Sequence, residues 1–317
     1  MSKKPTPTKV AIIGAGFVGT TFAYSLVLHG LVSDIVLIDA DKSRAEGEAM
    51  DLSHGIPYAY PTRISIGDFD ECRNAGIVTI AVDVGKRIHR SRLELAGDNY
   101  QILKEIVPKI VEYNKECILL VVTNPLDVMT YAALKISGFP KNRVIGSGTI
   151  LDSARLRFLL SERLQVDPRN VHAYIIGEHG DSEVPVWSLA NVAGINLKEY
   201  CPICGIPCSA IDLDDIFVKV RDAAYEVIKR KGRTNYAVAL GLTRIVQAIV
   251  RDENAVLTVS SLLEDYHGIN DICLSVPAIV NRNGIRELIK LPLNDKEMNE
   301  FRKSALIVKE VTKSLGL

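Results

Sequence analysis

Net charge is the first thing this chain lacks. Its 38 Lys and Arg balance 38 Asp and Glu, for a formal net charge of zero at pH 7. Without a global field of either sign, nothing favours nucleic acid or an anionic membrane as a partner. Long hydrophobic runs are also missing, and no apolar segment approaches the roughly 20 residues that span a bilayer. Cysteine is sparse, six in 317 residues, which argues against a disulfide scaffold. The opening MSKKPTPTK is polar and leads into only four apolar residues, unlike a signal peptide, so the expected compartment is the cytoplasm. Neither an internal repeat nor a low-complexity linker interrupts the chain.

What remains is an ordinary globular composition, 47% apolar and 24% charged, at a length suited to about two domains. The first half alternates short apolar runs with helical patterns. VAII (10–13), DIVLIDA (34–40), IVTIAV (77–82) and CILLVVTN (117–124) are the runs, and TTFAYSLVLHG (20–30) has apolar residues at helical spacing with Gly30 as a C-cap. Continuous apolar strands separated by helices predict a doubly wound α/β parallel sheet buried on both faces. After VIGSG (144–148) the character changes to the long helical pattern LDSARLRFLLSERL, mixed strands, and at least two long helices near 212–232 and 295–315. A domain boundary is expected there, between 8–148 and 149–317.

Gly14-Ala15-Gly16-Phe17-Val18-Gly19 follows the first strand and opens the first helix. Alone the GxGxxG spacing is weak; after a strand and before a helix it reads as a dinucleotide-binding turn. The first glycine permits the turn, the second lets backbone approach a pyrophosphate, and the third lets helix pack on strand. Asp39, 20 residues after Gly19, ends the second apolar run, where a carboxylate would bind a ribose diol and repel a 2′-phosphate. NAD rather than NADP is the expected cofactor. The alternative is a plain glycine turn with Asp39 capping the next helix.

Three further stretches carry chemistry: Thr123-Asn124-Pro125-Leu126-Asp127, Leu151-Asp152-Ser153-Ala154-Arg155-Leu156-Arg157, and Gly177-Glu178-His179-Gly180-Asp181-Ser182. In this order and spacing they resemble the lactate/malate dehydrogenase family, on its lactate side, from about residue 9 to the C-terminus. The resemblance implies a Rossmann domain followed by a mixed α+β catalytic domain, and hydride transfer between NADH and a small 2-oxo acid such as pyruvate. His179 would then be the acid/base and Asp152 the partner of its imidazolium, a pairing suited to proton donation near neutral pH. Arg155 lies three residues after Asp152, on the same helix face, and by resemblance grips the substrate carboxylate with its planar fork. Asn124 would orient nicotinamide and substrate carbonyl, and Thr234, in Lys-Gly-Arg-Thr-Asn-Tyr, would line the substrate pocket. Gly14, Gly16, Phe17, Val18, Gly19, Asp39 and Asn124 form the expected cofactor set. Arg157 and His172 match positions that hold fructose 1,6-bisphosphate between subunits of effector-activated members, which implies a homotetramer with that effector.

The stretch Asp83-Val84-Gly85-Lys86-Arg87-Ile88-His89-Arg90-Ser91-Arg92 departs from the family pattern in part. Arg92 matches the arginine of a mobile loop that closes over substrate and polarises its carbonyl. Asp83, however, stands where the family has a strand-end glycine beside the cofactor, and Ile88-His89 replace Pro-Gly. Lys86 falls at the position that meets the substituent on substrate C3, where a cation suits a second carboxylate better than a methyl group. Pyruvate/lactate is the expected pair. Malate, another 2-hydroxy acid, or an NAD-binding scaffold with little turnover stay open as alternatives. Finally, Cys201-Pro202-Ile203-Cys204 with Cys208 resembles a zinc knuckle, but no second CxxC supplies a fourth ligand, so no metal is expected.

Overall fold

The computed structural model describes residues 8–83, 92–203, 205 and 211–317, and of residues 92 and 93 the backbone alone. The first half contributes six strands, β1 (Lys9–Ile13), β2 (Asp34–Ile38), β3 (Arg63–Ile66), β4 (Ile77–Ile80), β5 (Ile118–Val121) and β6 (Val144–Gly146). The helices α1 (Phe17–His29), α2 (Lys42–Gly55), α3 (Arg92–Tyr113) and α4 (Leu126–Ser137) connect them, and α5 (Ile150–Leu164) follows β6. Short strand pairs come next: β7 (Val171–His172), β8 (Ile175–Ile176), β9 (Val184–Pro185), β10 (Asn191–Val192) and β11 (Ile195–Asn196). The chain ends with α6 (Leu197–Ile203), α7 (Leu213–Lys231), α8 (Tyr236–Val250), β12 (Ala255–Leu263), β13 (Ile272–Asn281), β14 (Gly284–Leu288) and α9 (Asp295–Ser314).

The six strands of the first half pair in parallel in the order 3-2-1-4-5-6, that of a dinucleotide-binding sheet. IVTI of β4 and ILLV of β5 are buried at every position, as expected of strands covered on both faces. Their side chains alternate between two cores. Ala11, Ile13, Val78, Ile80, Leu119 and Val121 face one, while Val10, Ile12, Ile77 and Leu120 face the other. Leu103, Ile106, Val107 and Ile110 of α3, with residues of α4 and α9, seal the first core; Phe22, Leu26, Ile245 and Ile249 of α1 and α8 seal the second. Gly30 ends α1 in the left-handed conformation, φ 58°, as the sequence predicts.

The sheet does not stop where the chain changes character. β12 pairs antiparallel with β6 through Ser260 and Gly146, and β13 and β14 extend the same sheet to nine strands. A third core, built from Leu156, Leu160, Val171, Ile175, Ile216 and Val220, joins α5, α7 and the short strands of the second half. The sequence reading names neither β3 at the sheet edge nor α8. The second apolar run is a strand only to Ile38, so Asp39 follows it, and the third only to Ile80. Asp39 does not cap α2; Asp41 does, accepting the Arg44 N–H at 3.0 Å.

Candidate active site

Gly14, Asp39, Asp83 and Asn124 all follow the C-terminal ends of parallel strands, so the chain gathers them at one edge of the sheet. That edge is where such folds open a ligand crevice, between β1 and β4 where the strand order reverses. Gly14 sits at φ 104°, and a Cβ there would stand 2.5 Å from the Ala81 carbonyl oxygen. A Cβ on Gly19 would fall 2.0 Å from the Gly14 carbonyl oxygen, so the turn and the helix can close only with both glycines. Gly16 has no atom within 4 Å of its missing Cβ, leaving open space in front of the α1 N-terminus, which no side chain caps. That opening faces the first-turn N–H groups of α1 and fits a pyrophosphate.

Asp39 completes this side. Its Oδ2 accepts the Ala15 N–H at 2.7 Å and Arg44 Nη2 at 2.7 Å, and its Oδ1 accepts the Asp41 N–H at 2.9 Å. Burial works against the charged form, but these hydrogen bonds outweigh it and hold the carboxyl below its usual range. Asp39 is therefore a fixed anion in the crevice, hostile to a 2′-phosphate. Phe17 is 59% exposed beside the turn, while Val18 is half-buried.

The second half brings His179, Asp152 and Arg155 together. Thr149 and Ser153 in the first turn of α5 both donate to the Ile175 carbonyl, at 2.5 and 3.4 Å, and so hold α5 against the strand that leads to His179. Asp152, 2% exposed, gives Oδ2 to His179 Nδ1 at 2.6 Å and accepts Arg155 Nη1 on Oδ1 at 2.8 Å. The 177–183 loop is fixed by remote elements. Asp127 of α4 accepts the His179 N–H at 2.7 Å, Gly177 and Ser275 of β13 exchange backbone bonds, and the Glu178 N–H donates to Ser304 Oγ of α9 at 2.8 Å. Burial alone would discharge the imidazole. The charge and hydrogen bond of Asp152, with Asp127 and Glu183 beyond, reverse this and raise it to about 9. Its side chain retains 28% exposure, so a ligand can still reach the ring. The site thus presents an imidazolium at neutral pH.

Two carboxyl groups here carry no role in the sequence reading. Asp127 also accepts Ser260 Oγ at 2.6 Å and Ser275 Oγ at 3.1 Å, and burial pushes it up to about 6. Glu183, 6% exposed, has an Oε1 without a hydrogen-bond partner among the described residues; burial and nearby Asp152 push it to about 9. Their spacing in GEHGDSE and NPLD was visible, but their burial is not a local property.

The other expected residues fall as follows. Asn124 follows β5 by three residues, at a cis peptide bond to Pro125, its carbonyl accepting Asn99 Nδ2 at 2.7 Å. Thr234 is half-buried in the turn between α7 and α8, which Asn235 ties to Thr21 of α1 at 2.9 Å. Arg157 of α5 donates Nε to the Ala173 carbonyl at 3.1 Å, next to exposed His172 on β7. Lys86, the side chain of Arg92, Cys204 and Cys208 lie outside the described residues. Among the described residues no group of three or more His, Cys, Asp or Glu could hold a metal ion.

A dinucleotide-binding turn at the C-terminal edge of the sheet, together with an Asp-paired imidazole whose loop is bonded to the helix that follows β5, fits a nicotinamide-dependent dehydrogenase acting on a carbonyl or alcohol. The pattern of the lactate/malate dehydrogenase NAD binding domain matches residues 8–146, and that of the family's alpha/beta C-terminal domain matches 149–315. The chain belongs to the lactate/malate dehydrogenase family, and its cofactor is NAD. It is 53% identical to the L-lactate dehydrogenase of Acetivibrio thermocellus, with all of both chains covered. Identity to L-lactate dehydrogenase 1 of Clostridium acetobutylicum is 50%, over 97% of this chain and 98% of that one. Among solved structures, a lactate dehydrogenase enzyme from a Medee basin deep-sea metagenome library superimposes with TM-score 0.94 at 41% identity, covering 99% of this chain and 100% of that one. The minor L-lactate dehydrogenase from Enterococcus mundtii gives 0.94 at 39%, covering 98% and 99%.

Proposed function

We propose that the protein interconverts pyruvate and L-lactate. The observation that carries this reading is the Asp152 carboxylate shared between His179 and Arg155, at 2.6 and 2.8 Å. His179, held charged by Asp152, gives its Nε2 proton to the carbonyl oxygen of a 2-oxo acid and recovers it in the reverse direction. Arg155, fixed at one nitrogen by Asp152, keeps the rest of its fork for the substrate carboxylate. Asn124 orients the carbonyl at the crevice edge, and Thr234 closes the pocket from the α7–α8 turn. NADH, when held by the 14–19 turn and Asp39, supplies the hydride. Arg92, the first residue of α3, completes the site by polarising the carbonyl, and Lys86 sets the preference at C3. The division into a nucleotide half, 8–148, and a catalytic half, 149–317, belongs to the same reading, as does a cytoplasmic location.

The test is His179→Asn. Pyruvate reduction should fall about 10²- to 10⁴-fold, the usual contribution of a positioned general acid. NADH affinity should stay near the wild-type value. An active His179→Asn enzyme would remove histidine from the mechanism.

Regulation is part of the same reading. Arg157 and His172 bind fructose 1,6-bisphosphate across the axis of a homotetramer, where two cations from each of two chains meet two phosphates. What supports this is their place on adjacent elements, with Arg157 anchored on the Ala173 carbonyl. Activity curves and sedimentation with and without the bisphosphate test it. Indifference of both pyruvate KM and tetramer content would count against it.

A further inference from the structure

Arg233 stands in the turn between α7 and α8, on the catalytic half, yet its guanidinium lies over the ring of Phe17, 3.2 Å from the ring centroid. Phe17 is the first residue of α1, directly after Gly16, and is itself 59% exposed. The contact therefore brings a cation from the second half of the chain onto the phosphate-binding turn of the first. The turn is not free to drift away: Asn235 donates to Thr21 Oγ1, one helical turn beyond Phe17, at 2.9 Å, and Lys231 donates to Asn235 Oδ1 at 2.8 Å. Among the described residues no carboxylate pairs with Arg233, so its charge is not spent on a local acid.

The opposite charge lies across the turn. Asp83 follows β4, two residues beyond the Ala81 carbonyl that packs against Gly14; it is exposed, and its Oδ1 accepts Asn99 Nδ2 at 3.5 Å. A carboxylate at the same edge of the sheet as the α1 N-terminus opposes an anionic ligand there, and the dipole of one helix offsets only part of that repulsion. A planar cation resting on an aromatic face loses little freedom when it turns its N–H groups toward a phosphate.

We propose that Arg233 is a cofactor-binding residue: it rests on Phe17 and donates to the pyrophosphate of NAD, offsetting the charge of Asp83 at the same rim. The proposal rests on the assignment of the 14–19 turn to the pyrophosphate. It makes cofactor capture depend on a residue of the catalytic half, next to the substrate-lining Thr234.

The test is isothermal titration of the full-length protein with NADH, ADP-ribose and adenosine, for wild type, Arg233→Ala and Arg233→Lys, each checked for an unchanged melting temperature. ADP-ribose keeps the pyrophosphate and lacks nicotinamide; adenosine lacks both. Arg233→Ala should weaken NADH and ADP-ribose about tenfold, as expected for one charge-assisted contact at a partly exposed site, and leave adenosine unchanged. Arg233→Lys should recover part of the loss, and added salt should weaken wild-type binding more than that of Arg233→Ala. Equal affinity of wild type and Arg233→Ala for ADP-ribose overturns the proposal, as does an equal loss for adenosine. A rise in pyruvate KM without any change in NADH affinity also overturns it, in favour of a substrate contact. Wild-type protein that binds adenosine but neither dinucleotide ligand would instead overturn the pyrophosphate assignment itself.

Discussion

Asp152 divides its two carboxylate oxygens between His179 and Arg155, and this division sets the pH behaviour of the site. The imidazole is raised to about 9, so pyruvate reduction, which needs the proton, should hold through neutral pH and fall as pH rises through about 9. Lactate oxidation, which needs the neutral ring, should rise over the same window. Asp152→Asn keeps a hydrogen bond but removes the charge; the alkaline limb should move toward 6.5, and kcat/KM for pyruvate at neutral pH should drop about 10²-fold. An unmoved limb in initial-rate pH profiles would show that Asp152 does not hold the proton on His179. Arg155→Lys should raise pyruvate KM about 10- to 100-fold, because a point charge replaces a planar fork. At this scale the sequence was informative where partners are close in the chain. Asp152 and Arg155 are three apart on one helix, and their ion pair could be anticipated. Asp127 and Ser275 are 148 residues apart, and nothing local marks that carboxyl as buried.

The elements explain how the histidine is aimed. The loop that carries it is pinned by α4, α9 and β13, and Asp127 near the start of α4 accepts from the loop, from Ser260 of β12 and from Ser275 of β13. Asp127→Ala leaves the His179 N–H and two serine hydroxyls without their acceptor. Stability should fall by roughly 3 kcal/mol in denaturant titration, and kcat with it, although Asp127 touches no reacting atom. Full stability in that variant would mean that water replaces the carboxylate at no cost. The buried strands β1, β2, β4 and β5 were legible because both faces need apolar side chains. β3 is an edge strand with an exposed–half-buried pattern and only four residues, so RISI has no such signature. YAVALGLTRIVQAIV of α8 buries Leu242, Ile245 and Ile249 against α1 and the sheet but also carries exposed apolar residues, Tyr236 and Leu240, which blur its helical face in the sequence.

Across the whole molecule, the change of character near residue 148 was legible, but the continuity of the sheet across it was not. Pairing of Ser260 with Gly146 spans 114 residues of chain, and only the folded topology brings β12 beside β6. The two halves therefore share one sheet, and the titratable groups buried near Asp152 make stability depend on pH. His179 has a folded value near 9 against 6.5 unfolded, and Glu183 near 9 against 4.5. Both favour the protonated folded state, so their contribution is present at low pH and is lost as pH rises toward 9. Melting temperature should fall by about 5 °C between pH 6.5 and 9, and Glu183→Gln, which cannot ionise, should flatten that slope. A steeper slope in the variant would exclude the glutamate as its source. Steady-state NADH oxidation by the full-length protein with pyruvate, oxaloacetate and a branched 2-oxo acid side by side decides whether pyruvate is the substrate. The highest kcat/KM should be that for pyruvate. A higher value for oxaloacetate, or NADH binding without turnover of any of the three, would contradict it.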